Sequence, residues 1–116
     1  MIKPLSELAA AAKSQCQCID FDQVPQFLQS HPKLLFIDVR EPDEHQLCAV
    51  KGAVNIPRGI IEMKLPNLSS DPEQSILLHC ATGGRAAFTA LSLKQMGYNN
   101  LTVVNGSAEQ LSSVCC

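Results

Sequence analysis

The residue types able to do covalent chemistry concentrate in one stretch, His79-Cys80-Ala81-Thr82-Gly83-Gly84-Arg85. A cysteine ends an apolar run, two glycines follow in a turn, and an arginine enters what reads as a helix. Consecutive N–H groups of such a turn can converge on an anion, and the following helix adds its positive end. A free thiol is only about 3% ionised at pH 7, and the thiolate is the nucleophile. A nest of N–H groups, a helix terminus contributing ~0.3–2 kcal/mol and a nearby guanidinium all favour that thiolate. Cys80 therefore reads as a nucleophile, with Ala81, Thr82, Gly83, Gly84 and Arg85 as its anion-binding loop. Without the glycines and Arg85 at this spacing, Cys80 would read as a packed strand-end cysteine.

A second apolar run ends in charge, LLFIDVR, at Asp38 and Arg40. His79 precedes Cys80 on one strand, and because side chains alternate it should face away and pack in the core. Asp43, Glu44 and His45 read as a solvated helix face, His31 as loop, and Arg58 as a solvated arginine. The remaining cysteines form Cys16-Gln17-Cys18, Cys115-Cys116 and a lone Cys48. Zinc sites want paired C-x-x-C or Cys/His spacings, so neither a metal nor another cofactor is expected. The close pairs are too near in sequence for ordinary loop-closing disulfides, which suits thiols in a reducing compartment. Cys48 reads as a helix-packing residue and the terminal pair as exposed thiols without a role.

Positioning Cys80 and Asp38 requires buried strands. Leu34–Arg40, Ser75–Cys80 and Leu101–Asn105 are continuous apolar runs of strand length, as expected for strands covered on both faces. Cys16–Asp20 and Ala53–Pro57 read as shorter strands. Helices are expected in DQVPQFLQS, in EPDEHQLCAV, in GIIEMKLPNL before Pro66, in RAAFTALSLKQM up to Gly97, and in SAEQLSSV. Residues 1–14 read as a helical extension with Leu5, Leu8 and Ala12 on one side, ahead of a domain over 15–116. Alternating buried strands and helices predict an α/β fold, a central, mostly parallel sheet with helices on both faces. Sites in such sheets form at the carboxyl ends of the strands, where Asp38, Arg40 and Cys80 all lie.

The 116 residues suit one domain that buries about two-thirds of its unfolded surface. Apolar residues make up 46% and charged residues 17%, which excludes intrinsic disorder. A net charge of −2 offers no basic face for nucleic acid. No apolar run approaches the ~18 residues needed to span a bilayer. Glu7 interrupts the only stretch that imitates a secretory leader, so a cytoplasmic protein is expected.

At this level of detail the sequence resembles the rhodanese family of sulfurtransferases. The resemblance runs from about Cys18 to Leu111 and rests on DVREPDEH (38–45), KGAVNIP (51–57), HCATGGRA (79–86) and GYNNLTVVNG (97–106). It implies that Cys80 attacks a sulfur donor such as thiosulfate or a polysulfide, becomes a persulfide, and hands the outer sulfur to a thiol, cyanide or a protein acceptor. It further implies that the backbone of Ala81–Gly84 cradles the persulfide, that Arg85 closes the loop and attracts the donor, and that Asp38 and Arg40 support neighbouring loops. A monomer or weak dimer is expected.

Three departures from the family pattern are visible: Cys48-Ala49 stands where a Gly-His pair is common, Ser107 for a second glycine and Leu111 for a tryptophan. None touches the cysteine loop. A cysteine phosphatase would have five residues between cysteine and arginine, whereas only Ala81, Thr82, Gly83 and Gly84 intervene here. Removing one residue takes up to ~3.5 Å from the loop, which favours a single sulfur over a phosphoryl group. The loop also lacks a general-acid aspartate. A non-catalytic, partner-binding module is the other alternative, and the intact cysteine speaks against it.

Overall fold

Side-chain alternation along the central strand organises the molecule. The computed structural model describes residues 1–114. In the strand Ile76–His79, Ile76 and Leu78, followed by Cys80, face one core, while Leu77 faces the other. Every residue of that strand is buried, as an apolar run with no polar alternation requires.

Numbered in chain order, the elements are α1 (Leu5–Ser14), β1 (Gln17–Asp20), α2 (Val24–Ser30), β2 (Leu35–Asp38), α3 (Pro42–Leu47), β3 (Val54–Asn55), α4 (Ile61–Leu68), β4 (Ile76–His79), α5 (Gly84–Met96), β5 (Leu101–Asn105) and α6 (Ala108–Val114). A short 3₁₀ turn, Phe21–Gln23, joins β1 to α2. The five strands lie in the order β1-β5-β4-β2-β3, and all four pairings are parallel. The α/β layering read from the sequence is thus the observed one.

One face of the sheet is covered by Ile61 and Leu65 of α4 with Ala86, Ala90 and Leu93 of α5. The other is covered by Val24 of α2 with Ala108 and Leu111 of α6. Fully burying each large aliphatic side chain contributes about 1.5–3 kcal/mol. The alanines of α5 let its backbone approach the sheet closely. Gly97, at φ 113°, ends α5, and the Tyr98 N–H donates to the Leu93 carbonyl, a closure that needs a left-handed residue.

The chain leaves β2 toward β3 on one side and leaves β4 toward β5 on the other. Adjacent strands whose connections depart in opposite directions open a crevice at their carboxyl ends. Asp38 and His79 stand opposite each other there, with Cys80 one residue further on.

Two expectations about elements are corrected. The α4 helix runs through Pro66 to Leu68 instead of stopping before the proline. Proline in the last turn forfeits one backbone bond, and Ile61 and Leu65, both fully buried, hold the helix in place. Of the expected apolar side of α1, Ala12 is buried whereas Leu5 and Leu8 are exposed. The reason is the partner, because α1 lies against α5 near Gly84, where the Ala9 Cβ stands 3.4 Å from the point a Cβ on Gly84 would occupy. Only small residues permit that approach.

Candidate functional site

The Cys80 side chain, almost wholly buried, points from the end of β4 into the turn that precedes α5. Its Sγ accepts the N–H of Gly83 at 3.0 Å and that of Ala86 at 3.4 Å. Gly83 sits at φ 93°, a left-handed conformation that turns this N–H inward and that a side chain would strain. The Ala86 N–H belongs to the first turn of α5, where amides have no intrahelical partner. Two donors and the positive end of a 13-residue helix therefore converge on one sulfur.

Of the loop residues expected to surround the sulfur, Gly83 alone donates its N–H to it, and Ala86, which was not expected, adds the second donor. Thr82 is exposed and turns its carbonyl outward, where Lys13 Nζ donates to it at 2.9 Å. Ala81 lines a groove with Arg40, Glu44, Leu47, Cys48 and Glu109.

Arg85 does not stand free. Its Nη1 and Nη2 donate to Glu44 Oε1 and Oε2 at 2.6 and 2.9 Å, a fork-on-fork pair about one-third exposed. Arg85's hydrogen bonds hold the Glu44 carboxyl down to about 2. Glu44 was expected on a solvated face, and so was His45, whose Nδ1 lies 2.9 Å from Asp38 Oδ2. Both belong to the site's frame, and only Asp43 of that trio is exposed. These pairings cross 41 and 7 residues, and the only local signal is that Glu44 and His45 share the first turns of α3.

Asp38 is the buried hub. Arg40 gives it its backbone N–H, Nε and Nη2, and the same Nη2 reaches the Cys48 carbonyl at 2.7 Å. Asn55 Nδ2 bridges the carbonyls of Asp38 and Arg40. Burial alone would push the Asp38 carboxyl up, and the hydrogen bonds of Arg40 with the neighbouring His79 bring it below the ordinary range. The ends of β2 and β3 and the Cys48 turn are thereby tied together.

His79 faces away from Cys80, its ring 5.4 Å from that of Phe36 in the opposite core. Among the described residues neither ring nitrogen has a hydrogen-bond partner, and Nε2 lies 3.8 Å from Asp38 Oδ2. The other described cysteines are half-buried. Burial pushes the Cys16 and Cys18 thiols up, which suits inert packing. Cys48 Sγ sits 3.5 Å from Ser112 Oγ. Arg58 stacks over the Phe88 ring at 5.3 Å. Cys115 and Cys116 lie outside the described residues.

Residues 7–113, nearly the whole chain, match the sequence model of the Rhodanese-like domain. The chain belongs to the rhodanese-like domain family. Among its relatives, the thiosulfate sulfurtransferase PspE of Escherichia coli is 28% identical over 83 residues, 72% of this chain and 76% of that protein. The 30 kDa polysulfide-sulfur transferase homodimer of Wolinella succinogenes is 27% identical, with a TM-score of 0.72 over 88% of this chain and 77% of that one. A protein of unknown function from Rhodopseudomonas palustris superposes with a TM-score of 0.82 over 97% of this chain and 92% of its own at 18% identity, a likeness of fold alone. Other curated relatives are longer, and this chain spans only 47% or 25% of their length. No helix among the described residues is long and apolar enough to cross a membrane.

The buried imidazole gives this rhodanese-like domain a specific pH dependence. Burial depresses His79 from 6.5 to about 4, only partly opposed by Asp38. Between those values the unfolded chain binds a proton here that the native state refuses, so stability falls as pH drops from 6.5 to 4, by up to about 3 kcal/mol. Urea unfolding at pH 7 and pH 4.5 is expected to show that loss in the wild type and much less of it in His79→Leu. Equal losses in both proteins would remove His79 as the cause.

Proposed function

We propose that the protein is a sulfurtransferase that carries a sulfane sulfur on Cys80. The Cys80 thiolate attacks the outer sulfur of thiosulfate, a sulfur–sulfur bond forms as the donor's own breaks, and sulfite leaves with the electron pair. The resulting Cys80 persulfide is attacked at its outer sulfur by a nucleophile; with cyanide the products are thiocyanate and the original thiolate. No net oxidant is needed, and the enzyme returns to its starting state.

The observation that carries this reading is the pair of N–H groups at 3.0 and 3.4 Å from Cys80 Sγ. Donors held in place before reaction stabilise a negative sulfur in both halves of the cycle. The loop holds four residues between Cys80 and Arg85, room suited to a sulfur rather than a phosphoryl group. The activities named for the Escherichia coli and Wolinella succinogenes relatives support thiosulfate and polysulfide as the donor class. The acceptor is a thiophile, a small thiol or a protein cysteine.

Intact mass of the purified protein before and after thiosulfate, with and without cyanide, tests the cycle. A gain of one sulfur that cyanide removes is the expected result, together with negligible hydrolysis of an aryl phosphate. Absence of the gain, or brisk Cys80-dependent phosphatase turnover, would overturn the reading.

A further inference from the structure

We infer that Lys13, on the helix preceding the sheet, is a positioning residue for the reactive sulfur, acting through the Thr82–Gly83 peptide. The inference rests on the sulfurtransferase reading for its kinetic consequence and on geometry alone for its structural one. A peptide bond is planar and trans, so its C=O and N–H point in opposite directions. In this one peptide unit, the Thr82 carbonyl accepts from Lys13 Nζ at 2.9 Å, and the Gly83 N–H donates to Cys80 Sγ at 3.0 Å. Holding the outer end therefore aims the inner end.

A cation on the carbonyl also polarises the peptide, because hydrogen bonds in a chain strengthen one another and charged donors are the stronger ones. The N–H that faces Cys80 becomes a better partner for a negative sulfur.

Two further features single out Lys13. The first is charge. Arg85, the cation expected to serve the sulfur, is matched by Glu44 in a two-point ion pair, whereas among the described residues Lys13 pairs with no carboxylate. Among the described residues, Lys13 is thus the cation next to the loop that has no carboxylate partner. The second is fit. Gly83 has no Cβ, and the space one would fill is taken by Lys13, with Cε at 3.0 Å and Nζ at 3.1 Å. The left-handed glycine admits the lysine chain as well as turning the N–H inward. Ala9 and Ala12, three residues or just under one turn apart on the inner side of α1, bring the helix close enough to make this reach.

The test uses Lys13→Met, which keeps length and helix propensity, and Lys13→Arg, which restores a cationic donor. Lys33→Met, at the far end of the sheet, controls for loss of one positive charge. Three quantities are read: the proton shift of the Gly83 amide by NMR, the rate of Cys80 alkylation by iodoacetamide at pH 7, and the rate of sulfur loading from thiosulfate.

In Lys13→Met the Gly83 amide is expected to move upfield, and both rates to fall about tenfold, the loss of one charge-assisted hydrogen bond. Lys13→Arg should restore all three, and Lys33→Met should change none. An unmoved Gly83 amide in Lys13→Met overturns the inference whatever the rates do, and so do rates that stay within about twofold of wild type. A wild type that takes up no sulfur would defeat the sulfurtransferase reading instead, and the amide shift with the alkylation rate would still decide the role of Lys13.

Discussion

Replacing Cys80 with serine is expected to reduce thiosulfate:cyanide turnover by at least about a thousandfold, ~4 kcal/mol in barrier, while leaving the fold intact. The two parts of that expectation have separate causes. A serine hydroxyl fits where the thiol was and accepts the same N–H groups of Gly83 and Ala86, so stability changes little. The oxygen is a poor nucleophile at neutral pH and forms no persulfide. Steady-state rates and intact mass after thiosulfate check the first part, and urea unfolding checks the second. Residual sulfur transfer near the wild-type rate would move the carrier to one of the other five cysteines, Cys16, Cys18, Cys48, Cys115 or Cys116.

The second large effect is on stability. Asp38→Ala is expected to cost about 3–5 kcal/mol, because among the described residues it leaves the buried Arg40 guanidinium only the Cys48 carbonyl as hydrogen-bond partner. The same change cuts the hydrogen bond to His45, while the backbone carbonyl of residue 38 keeps its bond from Asn55 Nδ2. Replacing both members, Asp38→Leu with Arg40→Met, should recover a substantial part, since no charge is then stranded. Urea unfolding at pH 7 reads both. The acid limb separates this carboxylate from His79. The folded-state value of Asp38 lies below its unfolded ~3.9, so its contribution is present above that pH and lost as pH falls through the folded value. That window opens where the His79 window closes. A single mutant as stable as the wild type would show that the hub is dispensable.

Much of this was legible in the sequence because it is local. Apolar runs such as Ile76–Leu78 declare a doubly covered strand, and a cysteine, two glycines and an arginine within six residues mark the turn whose N–H groups reach Cys80. Alternation placed His79 on the face opposite Cys80. What could not be read depends on residues far apart in the chain. Glu44 meets Arg85 across 41 residues and Lys13 meets Thr82 across 69, and neither partner carries a local pattern that announces the other. The exposure of Leu5 and Leu8 on α1 has a related cause, since the partner surface near Gly84 rewards small side chains.

The register of β4 has a consequence for how the proposed activity can be lost. Leu77 pairs with Phe36 and Thr102, and Leu78 with Ile37 and Val103, so β4 is pinned from both sides. Side chains along a strand alternate with period two, so a slip of one residue would turn every side chain of β4 to the opposite face of the sheet. A slip that set Cys80 in the place of His79 would carry the thiol to the Phe36 side of the sheet, away from the head of α5. A lesion that shortens or lengthens the connection ahead of β4 by one residue should therefore leave a protein with intact secondary structure and an unreactive cysteine, silenced by mispairing rather than by unfolding.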